Sequence, residues 1–415
     1  MRLSEATLDR LPPGIARFSY ERAAQAVGIV HFGIGAFHRA HQAWYTDLAM
    51  SGGERDWMVA GVSLRSSTVA KQLNPQDGLY TLTERSGSSA RTRVVGAIRQ
   101  VLVGQPDRPA IVDRIVAPEC HFVSFTVTEK GYARAADGAL EFELAEASFY
   151  PLLLEGLARR RDSGLSGLTL LSCDNLADNG RQLERLMTEY IEAKMPDLSA
   201  WFAAECACPG TMVDRIVPAT IEADLRAAAN GLGVRDEGAV FAERFSQWVI
   251  EDKFAGPRPG WEKHGAQLVR DVAPYETAKL RMLNGAHSAL AYCGLERGHE
   301  FVHQAIADPA LNHRLMQIAM DGSQKIPQRW LETLACHQRR GSHCPAILEA
   351  VAAWLRHVRG DRREVDDPMA EELAELWAVA GANGIAAALF GPQGLFARSW
   401  EADEAALAEL TERLV

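Results

Sequence analysis

The sequence predicts an α/β protein: a doubly wound sheet with helices on its faces, followed by a mostly α-helical C-terminal domain. Three observations carry the prediction. The first third alternates strand-like and helix-like stretches, the pattern of a parallel sheet. Glycines close the first strand where a helix begins. From Pro274 onward, Ala- and Leu-rich helical periodicity dominates. At 415 residues the chain exceeds the size at which one core stops growing, so two domains are expected, residues 1–272 and 273–415.

The elements follow in order. Gly28-Ile-Val-His-Phe-Gly-Ile-Gly is a short apolar strand ending in glycines, Arg39 to Met50 a helix, and Trp57-Met-Val-Ala-Gly-Val-Ser-Leu a second strand. Strand-like stretches follow at Thr92 to Leu102 and His121 to Thr128, then a helix from Pro151 to Arg161. The strand Leu168-Thr-Leu-Leu-Ser-Cys and a helix from Asn179 to Lys194 complete the alternation. Met212 to Val272 mixes short strands with irregular segments, including Ala255-Gly-Pro-Arg-Pro-Gly-Trp, and closes the first domain. Pro274 suits the first turn of the next helix. Ala346 to Leu355 and Met369 to Val379 read as later helices.

Composition excludes several functions. A hydrophobic fraction of 47% with 24% charged residues suits a packed globular protein. A formal charge of −10, without a basic stripe interleaved with aromatics, argues against nucleic acid as a partner. No uninterrupted apolar run approaches bilayer-spanning length, and Met-Arg-Leu-Ser-Glu-Ala-Thr-Leu-Asp-Arg lacks a secretory core. A cytoplasmic protein without a membrane partner is expected. Seven scattered cysteines read as reduced thiols. Cys206-Ala-Cys208 and the cluster Cys336-His337 with His343-Cys344 have zinc-compatible ligand types but untypical spacing, so no metal is assigned. Nothing in the composition selects between a monomer and a dimer.

Gly33-Ile-Gly35 lies between the first strand and first helix, where backbone amides can bind a pyrophosphate. This points to a Rossmann-type nucleotide site lined by Gly33, Gly35, Ala36 and Phe37. The third glycine of the usual fingerprint is absent, because position 38 is His, so an ordinary glycine turn is the competing reading. The second strand runs into Ser63-Leu-Arg-Ser-Ser-Thr68, with no carboxylate for a ribose 2′-hydroxyl. Arg65 is either a partner for a 2′-phosphate or a solvated loop residue. NAD is the expected cofactor, with NADP open.

The run Tyr275-Glu-Thr-Ala-Lys-Leu-Arg-Met-Leu-Asn-Gly-Ala-His puts an amine, a carboxamide and an imidazole on one helix. At roughly 100° per residue, Asn284 is about 140° and His287 about 80° round from Lys279, so the three share a side. Lysine becomes a base near neutral pH when its ammonium is destabilised. Asn284 can stabilise an oxygen gaining charge, and His287 can orient a hydroxyl. The competing reading is an amphipathic helix with a solvated Lys, a surface Asn and a core His.

With Cys173-Asp-Asn175 and Met212-Val-Asp214-Arg-Ile added, the chain resembles the long-chain polyol and uronate dehydrogenases of the mannitol dehydrogenase family. The likeness covers Ile29 to His41, Thr126-Val-Thr-Glu-Lys-Gly-Tyr132, Phe245-Ser-Gln-Trp-Val-Ile-Glu-Asp252, the lysine helix and Asp321-Gly-Ser-Gln-Lys-Ile-Pro327. It implies metal-independent hydride transfer in a cleft between the two domains. By position, Lys279 is the implied general acid/base, and Asn175 and Asn284 the groups that stabilise the alkoxide. His287, Asp214 and Lys325 are the implied substrate-hydroxyl contacts.

Lys-Leu-Arg-Met-Leu-Asn, Thr-Glu-Lys-Gly-Tyr and Gln317 resemble the fructuronate reductases, or D-mannonate oxidoreductases, within that family. A uronate carboxylate needs a cation. Arg281 is a candidate, against a surface or interdomain salt bridge, and Lys130 is a second. A mannitol or arabinitol dehydrogenase is the alternative substrate reading, and a nucleotide-binding protein without catalysis the alternative of another class. The family's acidic residues after the second strand are here Ser67 and Thr68, and the stretch between His299 and His313 is short.

Overall fold

The computed structural model describes residues 1–86, 89–135, 137–279, 285–300, 302–309, 311, 338, 345–359, 370–396 and 400–414. The chain divides into two compact units, Met1–Ala273 and Pro274–Val415.

The first unit is built on strands β1 (Val27–Phe32), β2 (Met58–Ser63), β3 (Tyr80–Ser86), β4 (Ser89–Val95), β5 (Ile98–Val103), β6 (Phe122–Phe125) and β7 (Thr169–Ser172). It also holds β8 (Thr211–Asp214), β9 (Val240–Glu243), β10 (Gln247–Glu251) and β11 (Gln267–Val269). Five form a parallel sheet in the order β5-β2-β1-β6-β7. Chain order reverses between β1 and β6, and that is where ligands of open α/β sheets bind. Two three-stranded sheets, β4-β3-β9 and β11-β10-β8, flank it.

Every residue of β1 is buried. Successive side chains point to opposite faces, and each face meets its own core. Val27 and Ile29 pack with Trp57, Trp248 and Trp261. Val30 and Phe32 pack with Ile111, Leu153, Leu157 and Leu186, which come from the helices Arg108–Val116, Tyr150–Asp162 and Asn179–Lys194. Burial on both faces explains why the strand reads as a continuous apolar run rather than an alternating one.

Two elements differ from the sequence expectation. Residues 39–50 do not form one helix: α1 (Ala36–Ala40) and α2 (Gln42–Ser51) meet at His41, whose φ of −122° and ψ of −97° are not helical. The break lets the His41 ring pack against Phe37, Tyr45 and Trp248. Residues 92–102 span parts of β4 and β5, separated at Gly96. A Cβ there would lie 2.6 Å from the Phe18 ring, and the Gly96 amide donates to the buried Asp47 carboxylate.

The second unit is helical, with Ala273–Ala278 leading into it and Gly285–Glu296, Val302–Ala307, Pro345–Arg359, Ala370–Phe390 and Glu404–Leu414 within it. Its core includes Leu290, Trp354, Leu389, Phe390 and Trp400. Arg356 pairs with Glu296 and Glu349, and Arg413 with Glu349 and Glu409, tying three of these helices together. One helix is more apolar over its length than the uninterrupted runs of the sequence suggest. The 18-residue window Leu373–Phe390 has a mean hydropathy of 1.5, long and apolar enough by composition to cross a bilayer. Here Leu373, Trp377, Ile385, Ala386 and Leu389 are core residues of this unit, and Gly381, at φ +68°, interrupts the helix.

Candidate active site

The glycine turn after β1 is fixed by its neighbours. Gly33 has a φ of +96°, a left-handed conformation that favours glycine. A Cβ at Gly33 would lie 2.1 Å from the Thr126 carbonyl oxygen, so the chain ends leaving β1 and β6 nearly touch. The Thr126 hydroxyl donates to the Gly33 carbonyl at 2.6 Å, and the Gly35 amide donates to the same oxygen at 2.6 Å. That carbonyl is thereby turned inward.

A cavity of about 280 Å³ opens at this point, lined by Gly33, Ile34, Gly35, Ser63, Leu64, Arg65, Ser66 and Val69 on one side. Thr126, Val127, Thr128, Gly131, Ala147 and Ser148 line the other. It spans the carboxyl ends of β2, β1 and β6. Gly33, Gly35 and Arg65 therefore line one cavity. Ala36 and Phe37 open α1 next to the turn but are not among the lining residues. Residues present fit a dinucleotide: a glycine turn that a side chain would block, hydroxyls, and one cation.

The loop after β6 is tied to the end of β7 by Asp174. Its carboxylate accepts from the Val127 amide at 3.0 Å, the Thr128 amide at 2.9 Å and the Tyr132 hydroxyl at 2.9 Å. Burial pushes its carboxyl up from the usual range, while these three donors pull it down. The Asn179 amide group donates to the Asp174 carbonyl and to Thr211. Asn175, next in the chain, is thus exposed on a braced segment at the carboxyl end of β7. This role of Asp174 leaves no local signal in the sequence, since its three donors lie more than forty positions away.

Asp214 ends β8 and is half-buried. Thr211, at the start of β8, donates through its hydroxyl to the Ser172 carbonyl, so β8 runs out beside β7. Lys130 is exposed on the turn Glu129–Tyr132, next to the cavity-lining Gly131. Lys279 follows the helix Ala273–Ala278 and is half-buried in the second unit. His287 lies on the helix Gly285–Glu296. Arg281, Asn284, Gln317, Lys325 and the Cys336/Cys344 cluster lie outside the described residues.

Cys206 is half-buried and Cys208 buried, both as free thiols. Burial pushes the Cys206 thiol up to about 11 and the Cys208 thiol well above its usual value, which disfavours the thiolate a metal needs. Among the described residues no group of three or more His, Cys, Asp or Glu is placed to hold a metal ion.

Comparison with known proteins agrees with this geometry. The Mannitol dehydrogenase Rossmann domain family matches residues 27–263, and the Mannitol dehydrogenase C-terminal domain family matches residues 271–314 and 307–414. The chain belongs to the mannitol dehydrogenase family. Members of the family are NAD-dependent oxidoreductases of polyols and sugar acids, and this chain is one of its oxidoreductases. It is 38% identical to the uncharacterized oxidoreductase YeiQ of Escherichia coli K12, over 90% of this chain and 88% of that one. It is 36% identical to the D-mannonate oxidoreductase of the same organism, over 92% and 91% respectively. Among solved structures it is similar to Pseudomonas fluorescens mannitol 2-dehydrogenase in a ternary complex with NAD and D-mannitol. That likeness has a TM-score of 0.78 at 28% identity, covering 100% of this chain and 99% of that one.

Proposed function

We propose that this family member is a cytoplasmic, nicotinamide-dependent enzyme interconverting a keto sugar acid and its alcohol, D-fructuronate and D-mannonate. The observation that carries the cofactor half is the cavity at the β1/β6 switch point, where Gly33 can be only glycine. The first unit, Met1–Ala273, is then the dinucleotide-binding domain and the second, Pro274–Val415, supplies the acid/base lysine. The acid half is supported by the 36% identity to D-mannonate oxidoreductase and by the cations Arg281 and Lys130, which match a carboxylate substrate.

The bound nicotinamide supplies or accepts the hydride. Lys279 holds the proton that moves on or off the substrate oxygen as the carbonyl and alcohol interconvert. Asn175 and Asn284 donate to that oxygen while it carries negative charge, and Asp174 keeps the Asn175 segment in place beforehand, so no reorganisation is needed during reaction. His287, Asp214 and Lys325 hold the remaining hydroxyls, and Arg281 with Lys130 pairs the carboxylate.

The test is a panel of mannonate, altronate, mannitol and arabinitol, each with NAD and with NADP, followed by the absorbance of the reduced nicotinamide. Turnover of mannonate is expected. Turnover of neutral hexitols with none of mannonate would overturn the acid reading in favour of a polyol dehydrogenase.

A further inference from the structure

Arg215 follows Asp214 in the chain, and its side chain is fully buried. A guanidinium has only donors, so a buried one has to be surrounded by oxygens. Nη1 donates to the Ala40 carbonyl and Nη2 to the Glu84 carboxylate, each at 2.5 Å. Nε and Nη2 both reach the Glu243 carbonyl, at 3.2 and 3.1 Å. The guanidinium carbon lies 4.7 Å from the centroid of the Trp44 ring, whose face attracts a cation. Burial pulls the guanidinium below its usual range, and Glu84 holds it up.

None of these partners belongs to the strand that leads into Arg215. Asp214 is the last residue of β8, in the β11-β10-β8 sheet, and pairs with Gln247 of β10. Glu84 and Glu243 belong to β3 and β9 of the other flanking sheet, and Ala40 ends α1, the helix that the glycine turn opens. Ile216 repeats the attachment: its amide donates to the Glu243 carboxylate at 2.7 Å, and its carbonyl accepts from the Glu243 amide at 3.1 Å. Asp214 is therefore held by β10 on one side and by the Arg215–Ile216 clamp on the other. An apolar side chain could fasten the end of β8 without the desolvation cost of a buried cation. What the guanidinium adds is direction, because its planar fork satisfies three fixed acceptors in one arrangement only.

We propose that Arg215 is the positioning residue for Asp214: by anchoring the end of β8 to α1, β3 and β9, it sets the carboxylate that accepts from a substrate hydroxyl. Buried as it is, Arg215 acts through Asp214 alone. This assignment rests on the reading of Asp214 as a hydroxyl contact.

The experiment is a double-mutant cycle on the full chain. It measures kcat and KM with whichever of D-mannonate and D-mannitol the wild type oxidises with NAD, beside direct binding of NADH. Asp214→Asn is expected to raise KM by about 10- to 100-fold, the worth of a hydrogen bond to a charged group. Arg215→Lys, which keeps the charge but not the fork, is expected to raise KM by about 5-fold or more while NADH affinity stays within about twofold. Placed in Asp214→Asn, the same substitution is expected to add less than about twofold, because its effect passes through the carboxylate. Glu84→Gln leaves Arg215 in place and weakens its anchor; it is expected to raise KM in the same way, and it decides the matter if Arg215→Lys does not fold. KM increases that multiply in the double variants, or an unchanged KM in the Arg215 and Glu84 variants, overturn the role of Arg215 while leaving Asp214 as a hydroxyl contact. A parallel loss of NADH binding in those variants assigns Arg215 to the fold and overturns the proposal too. Unchanged KM in Asp214→Asn, or a wild type that oxidises neither compound, overturns the reading of Asp214 and this inference with it.

Discussion

The Nε2 atom of His31 lies 2.9 Å from the Thr126 hydroxyl, which donates to the Gly33 carbonyl at 2.6 Å. The same Nε2 lies 3.3 Å from the Gly33 carbonyl itself. Burial holds the ring neutral, its pKa lowered to about 3, and its Nδ1 lies 2.8 Å from the Ser124 hydroxyl, which donates on to the Gln42 side-chain carbonyl at 2.8 Å. The imidazole thus couples β1, β6 and the glycine turn, and sets the turn's carbonyl inward.

Thr126→Val keeps the shape but removes the hydroxyl of this relay, leaving the Gly33 carbonyl with the Gly35 amide and the more distant His31 Nε2 as partners. A lost hydrogen bond costs about 0.5–1.5 kcal/mol net. Urea denaturation is expected to show a loss in that range or above, largely restored in Thr126→Ser. Unchanged stability in the valine variant would remove the relay from the account of the turn.

Stability should depend on pH through the same cluster. His38 stacks on His31 with ring centroids 3.4 Å apart, and burial pushes its pKa well below the usual value, helped by His31, His41 and Arg39. Unfolded, both rings titrate near the ordinary value of about 6.5. The unfolded chain therefore binds protons that the folded one refuses. The contribution of these rings to stability is complete above about pH 6.5 and is lost as pH falls from there, for His31 toward about 3, at up to roughly 1.4 kcal/mol per pH unit for each ring. Denaturation at pH 7.5 and at pH 5.5 should show a smaller acid loss in His38→Asn than in the wild type. Identical losses in the two proteins would show that His38 does not titrate on unfolding.

The histidine cluster also marks the boundary of what the sequence reveals. The helix Asn179–Lys194 is legible end to end because its apolar positions repeat at helical spacing within one segment. The glycine turn is legible because Gly33 and Gly35 sit where a strand meets a helix. The break at His41 is not, since it depends on Trp248, more than two hundred residues away, for the ring it packs against. Gly96 parts two strands because Phe18 occupies the space a side chain would need. The His31–Thr126 pair and the Asp174 brace likewise join residues dozens of positions apart. Arg65 is legible by its position after β2, but its place on the cavity wall is not.

Lys279→Ala tests the assigned chemistry most directly. If Lys279 moves the proton, its loss should remove the pH-dependent step from kcat by a factor of about 10²–10⁴, the range for a positioned acid/base group. Cofactor affinity should stay within about twofold, because the glycine turn belongs to the other unit. Lys279→Arg should not rescue, since a guanidinium stays protonated throughout the working pH range. Stopped-flow turnover across pH, alongside NADH and NADPH titrations, separates the two effects. Unchanged turnover with a retained pH profile would end the general acid/base role of Lys279, and a parallel collapse of cofactor binding would mean that the substitution disturbs the fold rather than the chemistry.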